Sequence, residues 1–261
     1  MNKFTPIFGN SGIYTKHDFL FAMGGVCGTR GRMALAIVER LAKSGYKGVV
    51  YACGRSDMDM ALVSRACEYY GLTCDIFTTT GCVTDVMSMT KATIHPVANG
   101  YNNVLNARAR DFADADSDKA YIPMGFACRC AIETLMHQLS ILPPDLKRIV
   151  IYDESGVNVA AIMLGLSFYG RSDVNVMGVT TKHEPYNVVA RLLGVGVLDR
   201  PKVTFTYTRV KQVTSTNDVM YDGVALSPTS DGHCVKFLET GDMLWINGDN
   251  LAIDDINDIK E

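Results

Sequence analysis

No apolar run in this 261-residue chain approaches the ~18 residues that a membrane-spanning helix requires, so a transmembrane segment is not expected. The opening Met1-Asn2-Lys3-Phe4-Thr5-Pro6 lacks the apolar stretch of a signal peptide, which makes a cytoplasmic location the expectation. Neither sign of charge is in excess. Against 28 acidic residues stand 25 Lys and Arg, a net charge of -3, and composition therefore gives no evidence of nucleic-acid binding. Paired metal-ligand cysteines are missing as well: Cys128 and Cys130 are two apart and no second pair follows at zinc-finger spacing, so no metal site is expected. Cys53, Cys67 and Cys74 fall in core-like patterns, where a free thiol acts as a small hydrophobe. Internal repeats, low-complexity tracts and long linkers are also absent.

What remains is a globular composition, 48% hydrophobic and 20% charged, on a chain long enough for two lobes. The periodicity alternates. A helical pattern through Met33, Ile37 and Leu41 stops at Gly45 and is followed by a β-branched run over 47–52. The unit repeats as a helix over 57–70, a stop at Gly71 and a strand over 72–78. Further on, the pattern predicts a helix over 101–115, a strand over 120–124, a helix over 127–139 ahead of Pro143-Pro144, a strand over 148–152, and a helix running from Ser155-Gly156 to Tyr169. A strand over 174–180 leads into Lys182-His183-Glu184-Pro185. The tail offers an edge strand over 204–209, a helix over 231–239 and a last strand over 243–247. Helix and strand in alternation predict an α/β fold with mostly parallel sheets and flanking helices.

Four stretches go further. Tyr14-Thr15-Lys16-His17-Asp18-Phe19 is similar to a "VKREDL" strand, and Gly28-Thr29-Arg30-Gly31-Arg32-Met33 falls on "GNKxRK". Ser227-Pro228-Thr229-Ser230-Asp231-Gly232-His233 looks like "DPVYEGK", and Trp245-Ile246-Asn247-Gly248 sits where a strand ends in a Gly-rich turn. In this order they resemble the fold type II family of pyridoxal-phosphate (PLP) enzymes, and most closely its aminocyclopropane-carboxylate deaminase and cysteine desulfhydrase branch, with tryptophan synthase β as a wider relative. The resemblance spans nearly the whole chain and implies a two-lobed protein: a large lobe of 1–45 with 119–261, and a small lobe of 46–118. It also implies a homodimer.

The chemical positions depart from that pattern. Arg30 stands where the family lysine links to the cofactor, and a guanidinium remains protonated and cannot form that link. The family "SN" becomes Asp57-Met58, or Ser56-Asp57 if the register slips by one, and the active-site Tyr becomes Ser230. Two features still suit PLP. Ser155, Gly156, Val157 and Asn158 open a helix after a strand, where backbone amides can hold a phosphate, although Glu154 adds a negative charge. Asp231 matches the acid that pairs with the pyridine nitrogen.

Lys182 is the candidate replacement amine, because it follows a strand whose carboxyl end faces the ligand crevice in open α/β sheets. Arg30 and Arg32, with Ser56 and Asp57, are candidates for binding a substrate or small anion. The first functional reading is a divergent PLP-type lyase, of deaminase or decarboxylase class, on an amino-acid-like group, its cofactor held by Lys182 or non-covalently. The second is a pseudoenzyme that binds a small anion or partner protein. The third, resting on the resemblance alone, is a viral DNA-hypermodification enzyme acting on an amino-acid adduct of thymine.

Overall fold

The computed structural model describes residues 4–98, 101–194, 203–213 and 217–248. The chain forms two compact units, one from the described parts of 1–21 and 132–250, the other from 22–131. The α1 helix (Gly28–Lys43) thus belongs to the same unit as residues 46–118, where the sequence had suggested the small lobe.

In the first unit, β1 (Ile7–Asn10) and β2 (Ile13–His17) form a hairpin. In the second, β3 (Ala22–Met23) and β4 (Val26–Cys27) form a short one before α1. The chain then runs through β5 (Gly48–Ala52), α2 (Asp59–Tyr70), β6 (Thr73–Thr79), α3 (Asp85–Ser88), β7 (Thr93–Val97), α4 (Asn102–Asp114) and β8 (Lys119–Tyr121). The four strands pair in parallel in the order β7-β6-β5-β8. Gly71 closes α2 at φ 72°, the left-handed conformation that its position as a helix stop predicts. β7 escapes a reading by periodicity because Pro96 interrupts it. Its place on the sheet edge is where a strand tolerates a proline.

After α5 (Arg129–Met136), the first unit resumes with β9 (Arg148–Tyr152), α6 (Val157–Phe168), β10 (Asn175–Thr180), α7 (Tyr186–Gly194), β11 (Phe205–Arg209), the β12 (Val219–Tyr221) and β13 (Val224–Leu226) hairpin, and β14 (Asp242–Ile246). The six-stranded sheet has the order β1-β2-β14-β9-β10-β11, parallel except at β1. The helix expected over 231–239 is present as a 3-10 helix over Asp231–Phe237. α6 is buried from Val157 to Leu166, and a helix so enclosed has to be apolar almost all round, as this one is apart from the buried Asn158 in its first turn. Among the described residues no helix is long and apolar enough to cross a membrane.

One glycine ties the sheet to the site at its end. In the middle of β10, Gly178 lies against the ring of Tyr207, where a Cβ would come within 2.6 Å of Tyr207 Cδ1. Tyr207 cannot yield freely, because its backbone N–H is held by Tyr186 Oη at 3.0 Å. Gly178→Ala is therefore expected to destabilise the fold by about 1–3 kcal/mol through overpacking, measured by urea denaturation.

Candidate functional site

Ser155 and Asn158 follow the carboxyl end of β9, Lys182 follows that of β10, and Asp231 meets the residues that follow β14. Asp153, directly after β9, is buried at the start of the turn into α6. Its Oδ1 accepts from Ser155 N (3.1 Å), Ser155 Oγ (3.2 Å) and Gly156 N (3.0 Å). Its Oδ2 accepts from Val159 N (3.0 Å) and Tyr207 Oη (2.9 Å). Val157 N donates instead to Ser155 Oγ at 3.3 Å. Gly156 makes the turn by adopting φ 80°, where a side chain would be strained. Burial raises the Asp153 pKa, against the pull of the groups that donate to it. Burial, followed by the neighbouring Asp153 charge, pushes the Tyr207 phenol upward, so the phenol remains a donor.

Asp231 forms a second buried centre. Its Oδ1 accepts from Asn247 Nδ2 (2.9 Å), and its Oδ2 accepts from Asn247 N (3.0 Å) and Gly248 N (3.3 Å). Asn247 Nδ2 also donates to the Tyr152 carbonyl at 3.0 Å, and Asn158 Nδ2 donates to Asn247 Oδ1 at 3.4 Å. Asp231 and Asn158 are thus brought into one polar chain through Asn247. Burial pushes the Asp231 carboxyl up to about 6. The His233 ring stacks on Tyr152 at 6.2 Å, and burial lowers its pKa.

Lys182 lies beside the same turn. Its ammonium pairs with Glu154, and its side chain is 72% exposed. Glu154 Oε1 also accepts from Tyr152 Oη and Thr181 Oγ1, both at 2.6 Å. Burial raises the Glu154 pKa, but the Lys182, Thr181 and Tyr152 donors outweigh it and hold the carboxylate below its ordinary range. Lys16 is a second lysine of the unit and is completely buried. Its ammonium donates to Thr5 O (3.1 Å), Thr5 Oγ1 (2.8 Å) and Gln138 Oε1 (3.3 Å).

In the other unit, Arg30 binds a carboxylate, as the sequence suggests a guanidinium here would, but the carboxylate is the chain's own Asp59. Nε donates to Asp59 Oδ1 at 2.9 Å, and Nη2 pairs with Oδ2. Nη1 donates to the Gly125 carbonyl at 3.0 Å, and the guanidinium lies 4.4 Å from the centre of the Phe126 ring. Tyr51 Oη donates to Asp59 Oδ2 at 2.8 Å and accepts from Gly125 N at 3.2 Å. Arg32 is fully buried in α1 and does not share a face with Arg30, since residues two apart on a helix diverge. Ser56 is exposed, and the half-buried Asp57 accepts the Asp59 N–H at 3.1 Å.

These positions do not fit a lysine-anchored PLP. Arg30 has no primary amine, and the amides of residues 155, 156 and 159 already serve a carboxylate. The sequence does not single out Asp153 or Tyr207, gives Asn247 only as part of a strand end, and offers for Asp59 only a first-turn place where any helix favours an acid. The signal for Asp153 is an acid at a strand end, two residues ahead of Ser155-Gly156. For Tyr207 there was none, because its partner lies 54 residues away.

Two measurements follow from these centres. Arg30→Lys keeps the charge but loses the bidentate geometry, and is expected to cost about 1–3 kcal/mol in urea denaturation. Asp231 binds its proton more tightly folded than unfolded, since its carboxyl titrates at about 6 instead of 3.8. Its contribution is therefore most favourable below the unfolded value and declines as pH rises through 6, by up to about 3 kcal/mol. Asp231→Asn should remove that part of the pH slope, read by denaturation on either side of pH 6.

No protein-family model and no curated protein sequence matches the chain. Solved structures do. An ACC deaminase homologue is 16% identical at TM-score 0.75, with 94% of this chain and 88% of that one covered. A threonine deaminase isoform 2 from Solanum lycopersicum is 11% identical at TM-score 0.66, covering 95% and 78%. A pyridoxal 5'-phosphate-dependent aspartate racemase is 12% identical at TM-score 0.61, covering 97% and 92%. All three are fold type II PLP enzymes. The chain has the α/β architecture of the fold type II PLP enzymes.

Proposed function

We propose that this chain uses the fold type II scaffold without lysine-anchored PLP, as a pseudoenzyme that binds a small anion or a partner protein. The commitment of Arg30 to Asp59 carries this reading. The Arg30 side chain is 13% exposed and its guanidinium is held bidentately over the Phe126 ring, so the position that the resemblance assigns to the reactive amine supplies a structural cation. An amine that must leave and rejoin a cofactor needs to be deprotonated for part of its cycle, and a guanidinium is not.

A second reading is a PLP-type lyase built on Lys182. Its support is the position of that ammonium against Glu154, beside the turn into α6, together with structural neighbours that include deaminases and an ammonia lyase. In that reading PLP would supply electron-withdrawing chemistry, Lys182 the amine, and Glu154 the group that holds its proton. The exposure of Lys182 weighs against it, since a working amine is normally desolvated.

The two readings separate on one experiment. The purified protein is mixed with PLP, its absorbance recorded, and any lysine adduct trapped with borohydride and located by peptide mass. The expected result at stoichiometric PLP is no adduct at Lys182 beyond that found on other exposed lysines such as Lys43 and Lys91. A stoichiometric adduct confined to Lys182 in wild type, and lost in Lys182→Ala, would favour the lyase reading in its place.

A further inference from the structure

We infer that Asp153 is a tethered anion standing in place of a ligand phosphate at the start of α6, and that the wild-type chain therefore selects ligands without a phosphate at this end. The inference rests on the reading that the chain works without lysine-anchored PLP, and adds which ligand class the turn refuses.

The amides at the start of a helix that follows a strand form an anion site because their N–H groups have no partners within the helix. In this chain two of them, at Gly156 and Val159, converge together with the Ser155 amide of the preceding turn on one side-chain carboxylate at 3.0–3.1 Å. Five donors in all surround the two oxygens when Ser155 Oγ and Tyr207 Oη are added. That is a saturated carboxylate, with the donor set a phosphate group would otherwise take. A phosphate arriving here would find its donors occupied and a buried acid group in its place.

Neighbouring strands hold the carboxylate in position. Tyr207 reaches Asp153 from β11 only because Gly178 leaves room for its ring, and Tyr186 fixes the Tyr207 backbone from α7. Residues from β10, β11 and α7 thus converge on a contact that an ordinary strand-to-helix turn does not need. The tether also favours the carboxylate over any free anion, because closing a short loop costs far less entropy than capturing a ligand from solution.

The test compares wild type with Asp153→Ser and Asp153→Asn, using inorganic phosphate, PLP and pyridoxal as probes, with phosphorus NMR and calorimetry as readouts. Wild type is expected to show no saturable phosphate binding. Asp153→Ser, which frees the amides, should bind phosphate at least about tenfold more tightly than wild type and prefer PLP over pyridoxal. Should Asp153→Ser fail to fold, Asp153→Asn carries the test. It keeps the size and one acceptor oxygen but removes the charge and releases the Val159 amide, and the same direction of change is expected. Phosphate binding by wild type equal to that of the variants overturns the inference, and so does a folded variant that gains none. A stoichiometric borohydride-trapped adduct confined to Lys182 in wild type would overturn the proposed function while leaving the phosphate result to be judged on its own.

Discussion

A carboxylate buried at the end of a parallel strand has to be compensated from within the chain, and the arrangement around Asp153 follows from that requirement. Its two oxygens need donors. The nearest are the amides of the turn into α6 and the Ser155 hydroxyl, and the last is a phenol from β11 that must cross β10 to arrive. This sets the left-handed Gly156, the bare Gly178 and the orientation of Tyr207. A buried acid lacking such donors would cost several kcal/mol or take up a proton.

The same logic operates in the other unit with the signs reversed. Arg30 introduces a permanent cation, and Asp59, Tyr51, the Gly125 carbonyl and the Phe126 ring surround it. In both units a position that the family resemblance assigns to ligand chemistry is occupied by groups that satisfy one another. In each unit the paired charges also join separate elements, Asp153 to β11 through Tyr207 and Arg30 of α1 to α2 through Asp59.

The fold was more legible in the sequence than the site, for a physical reason. Periodicity and helix stops are local, so Gly71, the strand over 148–152 and the run of apolar residues in α6 could be placed from nearby residues alone. Two-residue strands and a proline-bearing edge strand leave too little period to detect, which is why β3, β4 and β7 did not stand out. The site depends on who meets whom across the chain. Asp153 and Tyr207 are separated by 54 positions, and Arg30 and Asp59 by 29. The sequence identified Ser155 to Asn158 and Asp231 as chemically notable, but their hydrogen-bonding partners exist only once the sheet has formed.

Pro96 has a consequence of a different kind. β7 is the outer strand of its sheet, so one row of its backbone groups faces away from β6, and an open row of this sort invites another extended chain to add itself. A proline cannot donate and cannot pack flat against an incoming strand. The residue that hides β7 from a reading by periodicity thus interrupts the pairing of one chain's edge with another's. It lowers the tendency of the protein to polymerise through its sheet when crowded or partly unfolded.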